Sequence, residues 1–388
     1  MIPLSYNLRS LTVRKTTTLA TAFGIALVVF VFSAVSMLSA GIKKTLSSSG
    51  QPDKALIIRK GADAELSSAI DTPNVGLILS NKEVARRKDG KSDGVGEVVV
   101  VATADKFDNS GVSNAQIRGV PEDVYDFRPE VKITEGRKAK PGADEAVIGR
   151  AIAGRFKGMA LGQSYELRKN RPVQIVGVFE SGGSSFESEL WADVDTVRTA
   201  YGREGIVSSV RVRLSDPALF PAFERAIEGN RQLGFEVERE VTYYEKQSEG
   251  TSLFINILGT VVAFFFAVGA MIGAMITMYS AVANRKREIG TLRALGFGKL
   301  QIMLSFLFEA LALALIGGIV GALASLAMGM VSFSMMNFQS FSEIVFRFEP
   351  TPDAIIGALT FAVVMGFIGG LAPSVRAARM PLIKALKD

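Results

Sequence analysis

Long apolar runs alternate with charged segments along this chain, and the runs predict four membrane-crossing helices. Twenty-seven residues without a charge separate Lys15 from Lys43, and about 20 are enough to span the hydrocarbon of a bilayer. The first span is expected over residues 19–40. Residues 250–284 also lack charge, and the second span is expected over 253–283. The third, over 301–332, contains Glu309 as its only charged residue, and the fourth is expected over 353–373. Ahead of the first span, Leu4, Leu8 and Leu11 recur at helical spacing while Arg9 and Arg14 fall elsewhere. That pattern predicts an interfacial helix over residues 1–18. A cleaved signal peptide ending near Ala34-Val35-Ser36 is the alternative for this region, although the apolar run is longer than a signal core.

Residues 41–252 read differently, as one hydrophilic insertion large enough for its own core. Short β-type runs appear at Ala55–Ile58, Glu97–Ala102, Ala146–Ile148, Val173–Phe179, Val207–Leu214 and Phe235–Val237. Helical stretches are expected in part of Glu145–Phe156, over Asp193–Tyr201 with Asp193 as cap and Gly202 as stop, and over Pro217–Gln232. Tyr243–Glu249 reads as a polar stalk. The expected fold is an α-helical membrane protein of four transmembrane helices, with a large α+β extracytoplasmic domain inserted between helices 1 and 2.

Composition agrees with a membrane protein: 48% of the 388 residues are hydrophobic and the mean hydropathy is +0.28. The chain has no Cys and no His, which removes thiol nucleophiles, disulfides, imidazole catalysis and Cys or His zinc sites. No metal site is expected. The formal charge of +6 would suggest nucleic acid, but 12 of the 44 basic residues sit in three short segments beside apolar runs, and the remainder of the chain is slightly acidic. The excess is a topology signal, so no nucleic-acid partner is expected. It places both termini and the loop over 284–300 in the cytoplasm, and the short loop over 333–352 outside.

The loop after the second span reads Asn284-Arg-Lys-Arg-Glu-Ile-Gly-Thr-Leu-Arg-Ala-Leu-Gly-Phe-Gly298. Ile289, Leu292 and Leu295 recur every three residues, making one stripe of a short helix that Gly296 would end. A basic loop obeying the positive-inside rule is the plainer reading of the composition. The order of Arg285, Glu288, Ile289, Gly290, Leu292, Arg293, Ala294, Leu295 and Gly296 resembles the coupling loop of the MacB and FtsX superfamily of ABC transporter permeases. Gly142-Ala-Asp-Glu-Ala-Val-Ile-Gly149, Val173–Phe179 and Leu190–Val197 resemble that superfamily's extracytoplasmic core in order and spacing. The tail over 374–388 is also similar.

The resemblance implies a permease subunit with no bound cofactor of its own. ATP and Mg would be handled by a partner ABC ATPase subunit, on which the loop docks through Arg285, Glu288, Ile289, Gly290, Leu292, Arg293, Leu295 and Gly296. Gly90-Lys91-Ser92 does not supply a nucleotide site, because the Gly required five residues earlier is Ala85. The resemblance further implies a second, identical or related permease chain, a periplasmic membrane fusion protein, contact with membrane lipid, and residence in the bacterial inner membrane. Efflux or extraction of an amphipathic substrate by mechanotransmission would be the work done. A lipoprotein-releasing protein like LolC and an FtsX-like regulator of a cell-wall hydrolase are alternatives within the superfamily. A transmembrane sensor is one outside it, and would leave the third and fourth spans without use.

Three further features are open at this level. Gly269 with Gly273, Gly317 with Gly321, and Gly366 with Gly370 have the four-residue spacing of close helix approach, either at a dimer seam or within one chain. Glu309 is an interfacial carboxylate, one half of an ion pair, or a proton relay. Phe186 and Trp191 belong either to a partner or substrate loop over Glu180–Glu189 or to the packing of an ordinary turn.

Overall fold

A computed structural model describes residues 15–230 and 233–381. The interfacial helix expected over 1–18 falls almost wholly outside the described residues, as does the end of the tail beyond Pro381. The chain forms two compact units.

One unit is helical. Of the described residues it takes 15–40, 253–331 and 347–381. Its four long helices are α1 (Lys15–Ser47), α6 (Glu240–Asn284), α8 (Lys299–Leu326) and α9 (Pro352–Ala378), each long and apolar enough to cross a membrane. The short α7 (Lys286–Ala294) joins α6 to α8. Helices α1, α8 and α9 meet on small residues. A Cβ on Gly317 would stand 2.6 Å from the carbonyl oxygen of Ala22, and one on Gly321 would stand 2.3 Å from that of Ala26. On α9, Cβ atoms at Gly366 and Gly370 would lie 2.4 Å from the methyls of Ala314 and Ala310. Ser325 donates to Ser33 across the α1–α8 seam at 2.9 Å, and Thr21 reaches Thr277 of α6 at 3.0 Å. Both pairs satisfy hydroxyls inside a bundle where water cannot.

The other unit, residues 41–252 and 332–346, is the α+β domain. Its strands are β1 (Lys54–Arg59), β2 (Ile70–Asp71), β3 (Gly94–Asp105), β4 (Val112–Val120), β5 (Lys132–Gly136), β6 (Glu145–Gly149), β7 (Ser164–Arg168), β8 (Arg171–Glu180), β9 (Glu189–Asp193), β10 (Ile206–Val207), β11 (Ser209–Arg213), β12 (Phe235–Arg239), β13 (Ser332–Met336) and β14 (Glu343–Arg347). The main sheet runs β12-β1-β11-β3-β4-β9-β6-β8-β5, with β7 on β8. β4 and β9 are parallel, as are β6 and β8, and the other pairs are antiparallel. Helices α2 (Thr72–Leu79), α3 (Val124–Phe127), α4 (Val194–Tyr201) and α5 (Phe220–Glu228) complete it. Ile57, Val98, Val100, Ile117, Ile148, Ile175, Leu190, Val210 and Val212 build the core with Val197, Phe223 and Ile227 of the helices.

Local chemistry explains most boundaries. Asp193 caps α4 by accepting from the amides of Asp195 and Thr196, and Gly202 stops it at φ 64°. No helix forms between Glu145 and Phe156. β6 occupies its start, and Gly149 lies against the backbone of Glu187, where a Cβ would be 2.2 Å from a carbonyl oxygen. The helix expected over Pro217–Gln232 begins as a 3-10 turn at Pro217–Leu219, and α5 ends at Glu228 before Gly229. The Tyr243–Glu249 segment is no polar stalk: it is helical from Glu240 onward, and Tyr243 and Tyr244 are buried. The connection between α8 and α9 carries the β13–β14 hairpin.

Candidate functional site

The junction around α7 is built on its first residues. Arg285 breaks α6 from α7 at φ −113° and turns its guanidinium inward. Its Nε donates to Glu288 at 2.8 Å and its Nη1 to Glu309 of α8 at 2.8 Å, with the Phe306 ring 5.1 Å away. Glu309 is thus half of a buried ion pair, with Glu288 on the same guanidinium. Ile289 is only 2% exposed and packs with Met278, Val282, Ile302, Phe306, Leu313 and Ala377. Gly290 is buried beside it, and Leu292 is half-buried against the same cluster. Arg293 donates from Nη1 to the carbonyl of Met380 at 2.7 Å. Gly296 ends the turn at φ 95°, a value that favours glycine.

This geometry divides the residues of the expected docking surface into buried and exposed ones. Of the apolar stripe of α7, Ile289 and, in part, Leu292 are buried against the chain's own helices, while Leu295 is exposed. Arg285, Ile289, Gly290 and, in part, Leu292 and Arg293 hold the helix in place and are not presented outward. Lys286, Arg287, Glu288, Thr291, Ala294 and Leu295 form the exposed face, with Leu295 at 72%.

The glycine pairs divide. Gly317, Gly321, Gly366 and Gly370 pack helices within this chain, whereas a Cβ on Gly269 or Gly273 would meet nothing within 4 Å.

Phe186 and Trp191 are fully buried and pack within the α+β domain. They meet edge to face at 5.7 Å, and Phe179 stacks on Trp191 at 4.7 Å. They wall a buried charge network that the sequence reading missed. Arg118 of β4 donates to Glu189 at 2.6 Å and Glu97 at 2.7 Å and pairs with Glu65 at 3.0 Å. Glu240, the first residue of α6, accepts at Oε1 from Arg128 at 2.9 Å and Arg211 at 3.0 Å. The Trp191 indole donates to Glu189 at 2.7 Å, and the Arg128 guanidinium lies 4.3 Å from the Phe186 ring. Burial raises the Glu65 and Glu97 carboxyls, but the surrounding Arg118, Arg211 and, for Glu97, Arg128 outweigh it and hold both below the ordinary range. Burial, with Arg128 nearby, lowers Lys54. The network ties the start of α6 to β3, β4, β9 and β11. Its members lie in alternating strands, where Arg211 between Val210 and Val212 reads as solvent-facing unless both sheet faces are covered.

Two family models match the chain: the MacB-like periplasmic core domain over residues 16–230 and the FtsX-like permease C-terminal region over residues 260–382. The chain therefore belongs to the MacB/FtsX type of ABC transporter permeases, as a multi-pass membrane protein carrying a large α+β domain. It is 27% identical over 328 residues to the macrolide export ATP-binding/permease protein MacB 1/2 of Paracoccus denitrificans (strain Pd 1222), a match covering 81% of this chain and 44% of that one. The chain thus spans less than half the length of that relative. It is also 27% identical to the uncharacterized ABC transporter permease YvrN of Bacillus subtilis (strain 168), covering 99% of this chain and 96% of that one. The crystal structure of the periplasmic region of MacB from Actinobacillus actinomycetemcomitans overlaps 53% of this chain and 96% of its own at 15% identity, with a TM-score of 0.39.

Proposed function

We propose that this chain is the permease subunit of an ABC transporter, in which a separate ATPase subunit binds ATP and Mg and docks on α7. It lies in the bacterial inner membrane with both termini cytoplasmic. Two permease chains, identical or related, pair with two ATPases. ATP-driven closure moves α7, and the motion reaches the α+β domain to drive efflux or extraction of an amphipathic substrate, handed to a membrane fusion partner. The observation that carries this reading is the two-sided construction of α7. One face is locked into the bundle by Ile289 and by the Arg285–Glu309 pair, so a push on the other face, at Arg287, Thr291 and Leu295, moves the bundle instead of tilting a loose loop.

The test is purification from native membrane in mild detergent, followed by reconstitution with the ATPase that accompanies the chain. Arg287→Glu with Thr291→Trp is expected to abolish permease-stimulated ATP hydrolysis while leaving expression and the α+β domain intact. Recovery without any ATPase, or unchanged stimulation in this variant, overturns the docking assignment. A LolC-like lipoprotein extractor or an FtsX-like hydrolase regulator would be told apart by the partner that co-purifies.

A further inference from the structure

A groove on the α+β domain has the chemistry of a binding site. It encloses about 650 Å³ between the Gly61–Ser67 turn, β12, the first turns of α6 and the tip of the β13–β14 hairpin. That volume falls in the range of small-molecule sites, roughly 300–1,000 Å³.

The hairpin tip is held in a costly shape that displays two aromatic rings. The Asn337 side chain accepts from the amides of Gln339 at 2.8 Å and Ser340 at 3.1 Å, and Asn337 carbonyl accepts from the Phe341 amide at 2.9 Å. Asn114 of β4 donates to the Phe341 carbonyl at 2.8 Å. The result puts Phe341 at φ 52°, a region that a bulky side chain occupies only when its surroundings impose it. Phe341 and Phe338 are nevertheless 57% and 60% exposed. Burial of these rings therefore does not account for the strained backbone.

The groove's polar lining is nearly all acceptor. Asp63, Glu236 and Glu238 contribute carboxylates, against which Lys246 is the single cation among the described lining residues, bound to Glu238 Oε1 at 2.5 Å. Glu238 and Gln339 line the groove, and the second Glu238 oxygen and the Gln339 side-chain oxygen have no hydrogen-bond donor among the described residues. Buried acceptors of this kind are ordinarily satisfied. Two exposed rings beside three carboxylates, opposed by one lysine among the described lining residues, select a ligand with an apolar body and a positively charged, donor-bearing end.

We infer that this groove binds a small cationic amphiphile. The inference deepens the transport reading by naming a ligand class, and binding itself requires no ATPase. The test uses the full chain in phosphatidylcholine nanodiscs, titrated with the cationic dye rhodamine 6G and, in parallel, with the anionic sulforhodamine B, with empty nanodiscs as reference. Saturable anisotropy above the reference is expected for rhodamine 6G alone. Asp63→Asn with Glu236→Gln, and Phe338→Ala, are each expected to weaken it at least tenfold. Phe341→Gly relieves the positive φ, so it should weaken binding to the same degree while leaving the melting temperature unchanged or raised, which separates lost contact from lost fold.

Equal binding of sulforhodamine B, equal binding by all variants, or no signal above empty nanodiscs overturns the inference. Binding of an oligolysine peptide in place of the dye also overturns it and assigns the groove to a protein partner. Retained ATPase stimulation without dye binding sinks the groove alone. Dye binding in a chain that recruits no ATPase sinks the permease reading alone.

Discussion

Arg285 donates to Glu309 at 2.8 Å with both side chains almost wholly removed from solvent, and Glu288 shares the same guanidinium. Removing Glu309 leaves the buried guanidinium with only the half-exposed Glu288 as counter-charge. Glu309→Ala should therefore destabilise the helical unit by about 3 kcal/mol, whereas replacing both residues with apolar ones of similar size should recover much of that loss. Thermal challenge of detergent-solubilised protein, read by size-exclusion chromatography, distinguishes the single from the double variant. Equal survival of Glu309→Ala and parent would mean that the pair contributes nothing to holding α7.

Substitutions at the glycine pairs should split into two classes. Gly321→Val drives a side chain into the carbonyl of Ala26 and should cost about 3 kcal/mol or more. Gly269→Ala meets no atom and should leave the single chain unchanged or about 0.5–1 kcal/mol more stable through the gain in helix propensity. The same detergent assay reads both, and the interpretation fails if the two variants melt together.

Trp191, the only tryptophan, reports on the α+β domain from within its core. Its emission should be blue-shifted and poorly quenched by acrylamide in the folded chain. Phe186→Ala removes the ring between Trp191 and the Arg118 and Arg128 guanidinium groups and should cost about 3–5 kcal/mol. An accessible tryptophan would contradict the buried placement.

Acid should weaken the same domain. Since the Glu65 and Glu97 carboxyls titrate below their ordinary value of 4.5 in the folded chain, their stabilisation is complete above about pH 4.5 and is lost progressively as pH falls beneath it. A Glu65→Gln variant should unfold more readily than the parent at pH 7, with the gap narrowing on acidification. Trp191 fluorescence in urea at a series of pH values follows this, and a gap that widens toward low pH would reverse the assigned sign.

Hydrophobic length made the four spans legible, and β-branched runs such as Val173–Phe179 made several strands so. β4 escaped because its sequence, Val-Ser-Asn-Ala-Gln-Ile-Arg-Gly-Val, alternates with polar residues that are themselves buried: Gln116 and Arg118 both bond Glu189. A period-two pattern separates two faces, but it cannot tell that a polar face is covered. The α7 stripe is legible as a helix, but the surface that covers its Ile289 is not. An apolar stripe announces burial without saying whether the burying surface belongs to a partner or to the chain itself. Ile289 meets Met278 and Ile302, which lie in sequence on either side of it, so the nearest apolar surface was already covalently at hand.

The contacts of Gly317 and Gly321 with the Ala22 and Ala26 carbonyls leave no room for even a methyl group. Two helices meshed backbone to backbone in this way have a fixed register, since a slip by one residue in either direction would bring the Cβ of Val320 or Ala322 into the notch that Gly321 fills. α1 and α8 are then keyed like a shaft to its hub, able to turn or tilt as one piece but not to slide, and any sliding that the bundle performs must occur at another seam.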